Sequence, residues 1–211
     1  MPNRKTTQSR PYRDIIVIGA SAGGVEALIK ITSLFPSPVK ATVLAVLHTG
    51  GNGPGVLPDV LSRHSKTLSV EAARDGLEIR PGHLYIAVPD YHLLLERGYM
   101  RLVRGPVEKR HRPSVDALFC SAARAYGPRV IGVVLSGYLD DGSAGLHSIK
   151  KAGGLAVVQD PKDALVPGMP QNAIATTSVD YVRPIEEIPG LLGRLAGEQV
   201  EEEVDSAMSE N

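Results

Sequence analysis

Three short segments of this chain carry side chains suited to acyl-transfer chemistry. Ser21 lies inside Gly19-Ala-Ser21-Ala-Gly23, behind the apolar run at residues 14–18 and ahead of a helical pattern at 24–34. This is the G-x-S-x-G spacing of a nucleophile elbow, a sharp strand-to-helix turn that lifts one hydroxyl above a sheet. Small neighbours suit such a turn, which tolerates little Cβ bulk and must let a substrate carbonyl approach the backbone. His48 ends a second apolar run, 42–47, and Asp140-Asp141-Gly142 follows a third, 130–135. Serine hydrolysis needs a hydroxyl to attack, an imidazole to take and return its proton, and a carboxylate to orient that imidazole.

Each of these residues also has a plainer use. The glycine-rich turn could bind a phosphate, open a dinucleotide-binding helix or simply pack tightly. A histidine at a strand end is often a hydrogen-bonded structural residue. Asp-Asp-Gly before a helix is first of all a cap and turn signal. The dinucleotide reading meets two obstacles: the second strand ends in His48 instead of an acidic ribose ligand, and the chain has no Tyr-x-x-x-Lys. The order Ser, His, Asp differs from the Ser, acid, His order of α/β-hydrolases. His64, His83, His92, His111 and His147 form no close pair of zinc-ligand spacing, so no metal or other cofactor is expected. The catalytic reading rests on joint occurrence, because ligands of open α/β sheets bind outside the carboxyl ends of the strands.

The elements that must hold these residues are legible from periodicity. Residues 14–18, 42–47, 130–135 and 155–158 read as buried strands, and 24–34, 55–64, 114–125 and 142–152 as helices between them. That alternation predicts an α/β fold, a doubly wound, mostly parallel sheet with helices on both faces. Residues 82–88, 91–95 and 99–103 read as a small antiparallel hairpin set, with turns at Pro89-Asp90 and Arg97-Gly98, inserted in or edging the main sheet. Pro184 reads as a helix start, followed by a last helix through residues 185–195.

Composition narrows the function classes. The 211 residues, 43% hydrophobic, can bury one core. Equal numbers of basic and acidic residues, 23 of each, argue against bulk nucleic-acid binding. No apolar run is long enough to span a membrane and the N-terminus has no secretory signal. A single cysteine excludes an intrachain disulfide framework and fits a cytoplasmic setting. Cys120 itself reads as core filler within a helix. Residues 1–13 form a basic tail, 14–196 one catalytic domain, and 197–211 an acidic tail; both tails are expected to be solvated. The basic cluster Lys109-Arg110-His111-Arg112 reads as a solvated loop, or as a docking surface in which Arg110 and Arg112 steer an acidic partner.

Taken together, Ile16-Val-Ile-Gly-Ala-Ser-Ala-Gly-Gly24, His48, Pro81-Gly-His-Leu-Tyr-Ile-Ala87, Arg110-His-Arg-Pro-Ser-Val-Asp116, Val134-Leu-Ser-Gly137, Asp141-Gly-Ser-Ala-Gly145 and Gly168-Met-Pro170 resemble the catalytic domain of CheB-type chemotaxis protein-glutamate methylesterases. The resemblance implies a seven-stranded sheet and a triad of Ser21, His48 and Asp141. It implies removal of methyl esters from glutamate side chains of chemoreceptors or receptor-like helical proteins. It also implies deamidation of certain glutamines. Backbone groups of Ala22, Gly23 and Tyr138 are the oxyanion candidates. The chain departs from the family pattern at Ala22, where a threonine is usual, and at Leu139, where a glycine is usual and a positive φ could be required. Those departures motivate a second reading, a catalytically weak or inactive module that binds receptor helices or another signalling protein. Family members usually carry an N-terminal receiver domain; 13 residues precede the first strand here, so control by an attached receiver is not expected. A monomer is expected, because no long amphipathic stretch is left over once the sheet is covered.

Overall fold

The computed structural model describes residues 11–48, 56–108 and 111–200. Most of both tails, the loop at 49–55 and Arg110 lie outside the described residues. A seven-stranded sheet runs in the order β3 (Ser69–Ala72), β4 (His83–Ile86), β2 (Thr42–Leu47), β1 (Ile15–Ala20), β7 (Val130–Val134), β8 (Leu155–Gln159) and β9 (Tyr181–Arg183). All six pairings within it are parallel.

The layers follow from side-chain alternation on β1, whose six residues are all buried. Ile16, Ile18 and Ala20 face one core together with α1 (Gly24–Leu34), α2 (Leu57–His64) and α6 (Ile188–Leu195). Ile15 and Val17 face the other, with α3 (Val115–Tyr126), α4 (Ser143–Lys151) and α5 (Gly168–Thr176). Successive strand residues point to opposite faces, so a strand covered on both sides reads as an unbroken apolar run. The connection from β1 leads toward β2 and that from β7 toward β8, in opposite directions. The crevice between such diverging connections is where an open α/β sheet receives its ligand.

The expected fold class holds, with local corrections. Residues 83–86 are not part of the hairpin set. They form β4, inside the main sheet between β2 and β3, because Leu84 and Ile86 bury into one core while Tyr85 buries into the other. The chain then turns at Pro89-Asp90, with Asp90 at φ 62°, and leaves the sheet. The antiparallel pair is β5 (His92–Glu96) with β6 (Tyr99–Val103), joined at Arg97-Gly98. It covers the second core through Leu93, Leu95 and Met100. The last helix starts at Ile188, after a turn in which Glu187 N–H donates to the Pro184 carbonyl; the proline of its first turn is Pro189. Cys120 is half-buried, with its thiol 3.6 Å from the Ser148 hydroxyl across α3 and α4, so it edges the core instead of filling it.

Candidate active site

The turn after β1 is shaped by what surrounds it. Gly19 lies so close to the Val115 side chain that no Cβ fits. The Ser21 amide donates to the Ser136 carbonyl at 2.9 Å, and the Ser21 carbonyl accepts from Gly24 N–H at 2.8 Å. Gly23 closes the turn in the left-handed region at φ 78°, and α1 begins behind it with no side-chain cap. Ser21 therefore sits where a helix N-terminus meets a strand end.

His48 stands on the neighbouring strand. Its amide donates to the Ala20 carbonyl at 3.1 Å, extending by one residue the register that pairs Ala20 with Leu47. Ser21 and His48 thus leave adjacent strand ends side by side. The His48 side chain is 7% exposed, and its Nε2 lies 3.0 Å from Asp141 Oδ2. Neither ring nitrogen has a well-aligned hydrogen-bond partner among the described residues. One face of the ring is covered by His111, stacked with centroids 3.7 Å apart and planes 5° from parallel.

Asp141 is buried and heavily bonded. Oδ1 accepts from the Ser114 hydroxyl at 3.1 Å and the Asp116 amide at 3.0 Å, and Oδ2 accepts from the Val115 amide at 2.8 Å. These are the unpaired first-turn groups of α3, whose partial positive charge favours an anion. Burial by itself pushes the carboxyl up, but the His48 ring and the Asp116 and Val115 amides outweigh it, and the pKa falls from 3.8 to about 2. Asp116 returns the arrangement: its Oδ1 accepts from Gly142 N–H at 2.9 Å and Gly145 N–H at 2.7 Å, at the start of α4. Each helix start is held by a carboxylate from the other's segment. Asp140, next in line, is exposed.

The loop after β7 carries the remaining candidates. Gly137 is wedged between Ser21 and Met169, and its amide donates to the Val166 carbonyl at 2.9 Å. Tyr138 and Leu139 are 65% and 51% exposed. Leu139 takes φ 64°, so the left-handed backbone expected of a glycine position is kept with a leucine there. The Asn172 side chain holds it by donating to the Leu139 carbonyl at 2.7 Å. The Ser136 hydroxyl ties the loops together, donating to the Ala22 carbonyl at 2.7 Å and accepting from Val166 N–H at 2.9 Å.

The structure thus brings His48 and Asp141 into contact and sets Ser21, Ala22, Gly23 and Tyr138 around the same strand ends. Arg112 lies in the loop before α3, where its guanidinium donates to the Gly105 carbonyl at 2.8 Å and approaches Asp90. Arg110 lies outside the described residues. Sequence reasoning placed His111 only within the basic cluster and gave no site role to Ser114, Asp116 or Ser136. Pro-Ser-Val-Asp ahead of an apolar helix is a readable cap signal; the ring stack and the Ser136 tie have no local signature.

A family model described as CheB methylesterase matches residues 16–192. The chain belongs to the CheB methylesterase family. A Leptospira interrogans relative is 39% identical over 190 residues, 90% of this chain and 98% of its own. The Pyrococcus horikoshii protein-glutamate methylesterase/protein-glutamine glutaminase is 37% identical over 88% of this chain, which spans 51% of that protein. The crystal structure of the Thermotoga maritima CheB methylesterase catalytic domain superposes with TM-score 0.82 at 34% identity, covering 88% of this chain and all of that one. The doubly wound CheB fold read from the sequence is therefore the fold observed.

Proposed function

We propose that this protein hydrolyses methyl esters of glutamyl side chains in chemoreceptor proteins, with Ser21, His48 and Asp141 as its triad. The supporting observation is the 3.0 Å contact between buried His48 and buried Asp141 beside the strand end that carries Ser21. In this reading Ser21 Oγ attacks the ester carbonyl while His48 takes its proton. The tetrahedral intermediate expels methanol, which leaves with that proton, and a glutamyl-serine ester remains. Water then attacks, His48 again accepts and returns the proton, and free glutamate and Ser21 are restored. Asp141, an anion across the physiological range, fixes the ring and balances the imidazolium. Amides of Ala22, Gly23 and Tyr138 are the groups suited to stabilise the oxyanion.

Glutamine deamidation runs through the same acyl-enzyme, with ammonia in place of methanol. The names of the relatives carry both activities. Among the described residues no helix is long and apolar enough to cross a membrane. A cytoplasmic, monomeric enzyme meeting the receptor's helical region fits that reading. Methanol release from a methylated receptor tests the function. Turnover by the wild-type chain that disappears in Ser21→Ala supports it, and an inert wild-type chain overturns it in favour of a binding module.

A further inference from the structure

Leu139 pairs a conformational cost with an exposed side chain. At φ 64° an L-residue crowds its own carbonyl, a penalty that glycine avoids. Yet the side chain is half exposed and gives the core little in return. Strain kept in a loop with no packing benefit points to a role outside the fold. The neighbours share this character. Tyr138 is 65% exposed, and Leu165 is 75% exposed, the largest value among the exposed large hydrophobic residues described.

The segments that carry these three side chains flank the turn of the candidate nucleophile. Leu165 Cβ lies 2.8 Å from where Gly23 would carry a Cβ, two residues past Ser21. Tyr138 and Leu139 follow Gly137, whose own Cβ position lies 2.7 Å from Ser21 Cβ. A hydrogen bond from Gly137 to Val166 joins the two loops, and one from Asn172 on α5 holds the Leu139 carbonyl.

We propose that Tyr138, Leu139 and Leu165 form an apolar rim that docks apolar side chains flanking the methylated glutamate, with Leu139 the specificity-determining residue. The inference rests on the proposed methylesterase function and names the substrate it favours: a neutral glutamyl ester set among apolar neighbours. Continuity with Ser21 identifies the occupant, because a segment delivering its ester to the hydroxyl comes up against the two loops that carry these side chains. An apolar rim also separates substrate from product. The ester is neutral, whereas the released carboxylate is charged and is poorly accommodated among desolvating side chains. The rim therefore favours entry of the ester and departure of the glutamate.

The test uses the full chain in a Ser21→Ala background, so that binding is read without turnover. The probe is a methylated receptor helical segment. Adding Leu139→Gly is expected to weaken its binding about five- to tenfold, the share a half-exposed leucine gains on full burial. Leu139→Met is expected to retain most of it. A segment whose apolar flanking residue is changed to serine should bind Ser21→Ala more weakly, with the difference reduced in the Leu139→Gly variant. Leu139→Gly should melt no lower than its parent, since relief of the left-handed strain offsets glycine's added chain entropy. Unchanged binding, fully additive losses in the cycle, or a clear fall in melting temperature would each overturn the rim. Failure of the wild-type chain to release methanol overturns the enzymatic reading separately, whatever the binding shows.

Discussion

The imidazoles of His48 and His111 lie face to face, 3.7 Å between centroids and 5° from parallel. His48 meets Asp141 at one edge, so the stack restrains the ring by its plane while the carboxylate restrains it by an edge. In the proposed triad, a ring gripped on two sides keeps its angle to the Ser21 hydroxyl. Ring stacking of this kind contributes about 0.5–1.5 kcal/mol. His111→Ala is therefore expected to lower kcat by about tenfold, with KM little changed. His111→Phe, which keeps a flat ring, should recover much of the loss. Equal kcat values for the alanine variant and the wild type would show that the stack restrains nothing.

Asp141 holds the start of α3 besides its proposed place in the triad, and pH reads the structural contribution. Its carboxyl titrates at about 2 instead of 3.8. A depressed folded-state pKa stabilises the protein above the unfolded value, and the gain is lost as pH falls through the folded one. The native state is expected to lose about 2 kcal/mol between pH 4 and pH 2 from this group. Asp141→Asn should flatten that part of the stability curve in urea unfolding measured at several pH values. It should also lower activity far more than Asp140→Asn, because Asp140 is exposed. A steep acid limb persisting in Asp141→Asn would assign the dependence to other carboxyls.

That Ser21, His48 and the Asp140-Asp141 pair meet at one sheet edge was legible because each follows an apolar run, and parallel strands bring such positions together; only the family resemblance singled out Asp141 from the pair. Register sharpened this: Ala20 pairs with Leu47, and His48 N–H continues to the Ala20 carbonyl. Other features had weak signals. β3 is an edge strand with no buried residue, and β9 has only three residues. α5 opens Gly-Met-Pro and continues with Gln and Asn, a poor helical pattern. The strand at 83–86 was read, but its place was not, because a short apolar run does not reveal its pairing partner. His111 and Ser136 act through tertiary contacts with residues far away in sequence, which no local pattern encodes.

Ser136 gives a further expectation. Its hydroxyl bonds both the Ala22 carbonyl and the Val166 amide, joining the loops that follow β1, β7 and β8. Ser136→Ala leaves two part-buried backbone groups short of a partner, a cost of about 1–2 kcal/mol. The melting temperature should fall by about 2–8 °C. KM for the receptor ester should rise as the Ser21 turn and the Leu165 loop come apart. A variant as stable as the wild type would mean that water replaces the hydroxyl without loss.

The most direct check of the proposed triad is whether its members act together. Ser21→Ala removes the attacking oxygen and is expected to lower kcat by about 10⁴-fold or more in a folded protein. His48→Ala should lower it nearly as far, because an unassisted serine hydroxyl is a poor nucleophile at neutral pH. If the imidazole works only through that hydroxyl, it has nothing to do once the hydroxyl is gone. The double variant Ser21→Ala/His48→Ala should then match Ser21→Ala alone, the two losses failing to multiply. Methanol release measured for the four proteins gives the coupling directly. Losses that multiply would mean that His48 serves catalysis by a route other than Ser21, and the buried His48–Asp141 pair would need a different substrate-facing partner.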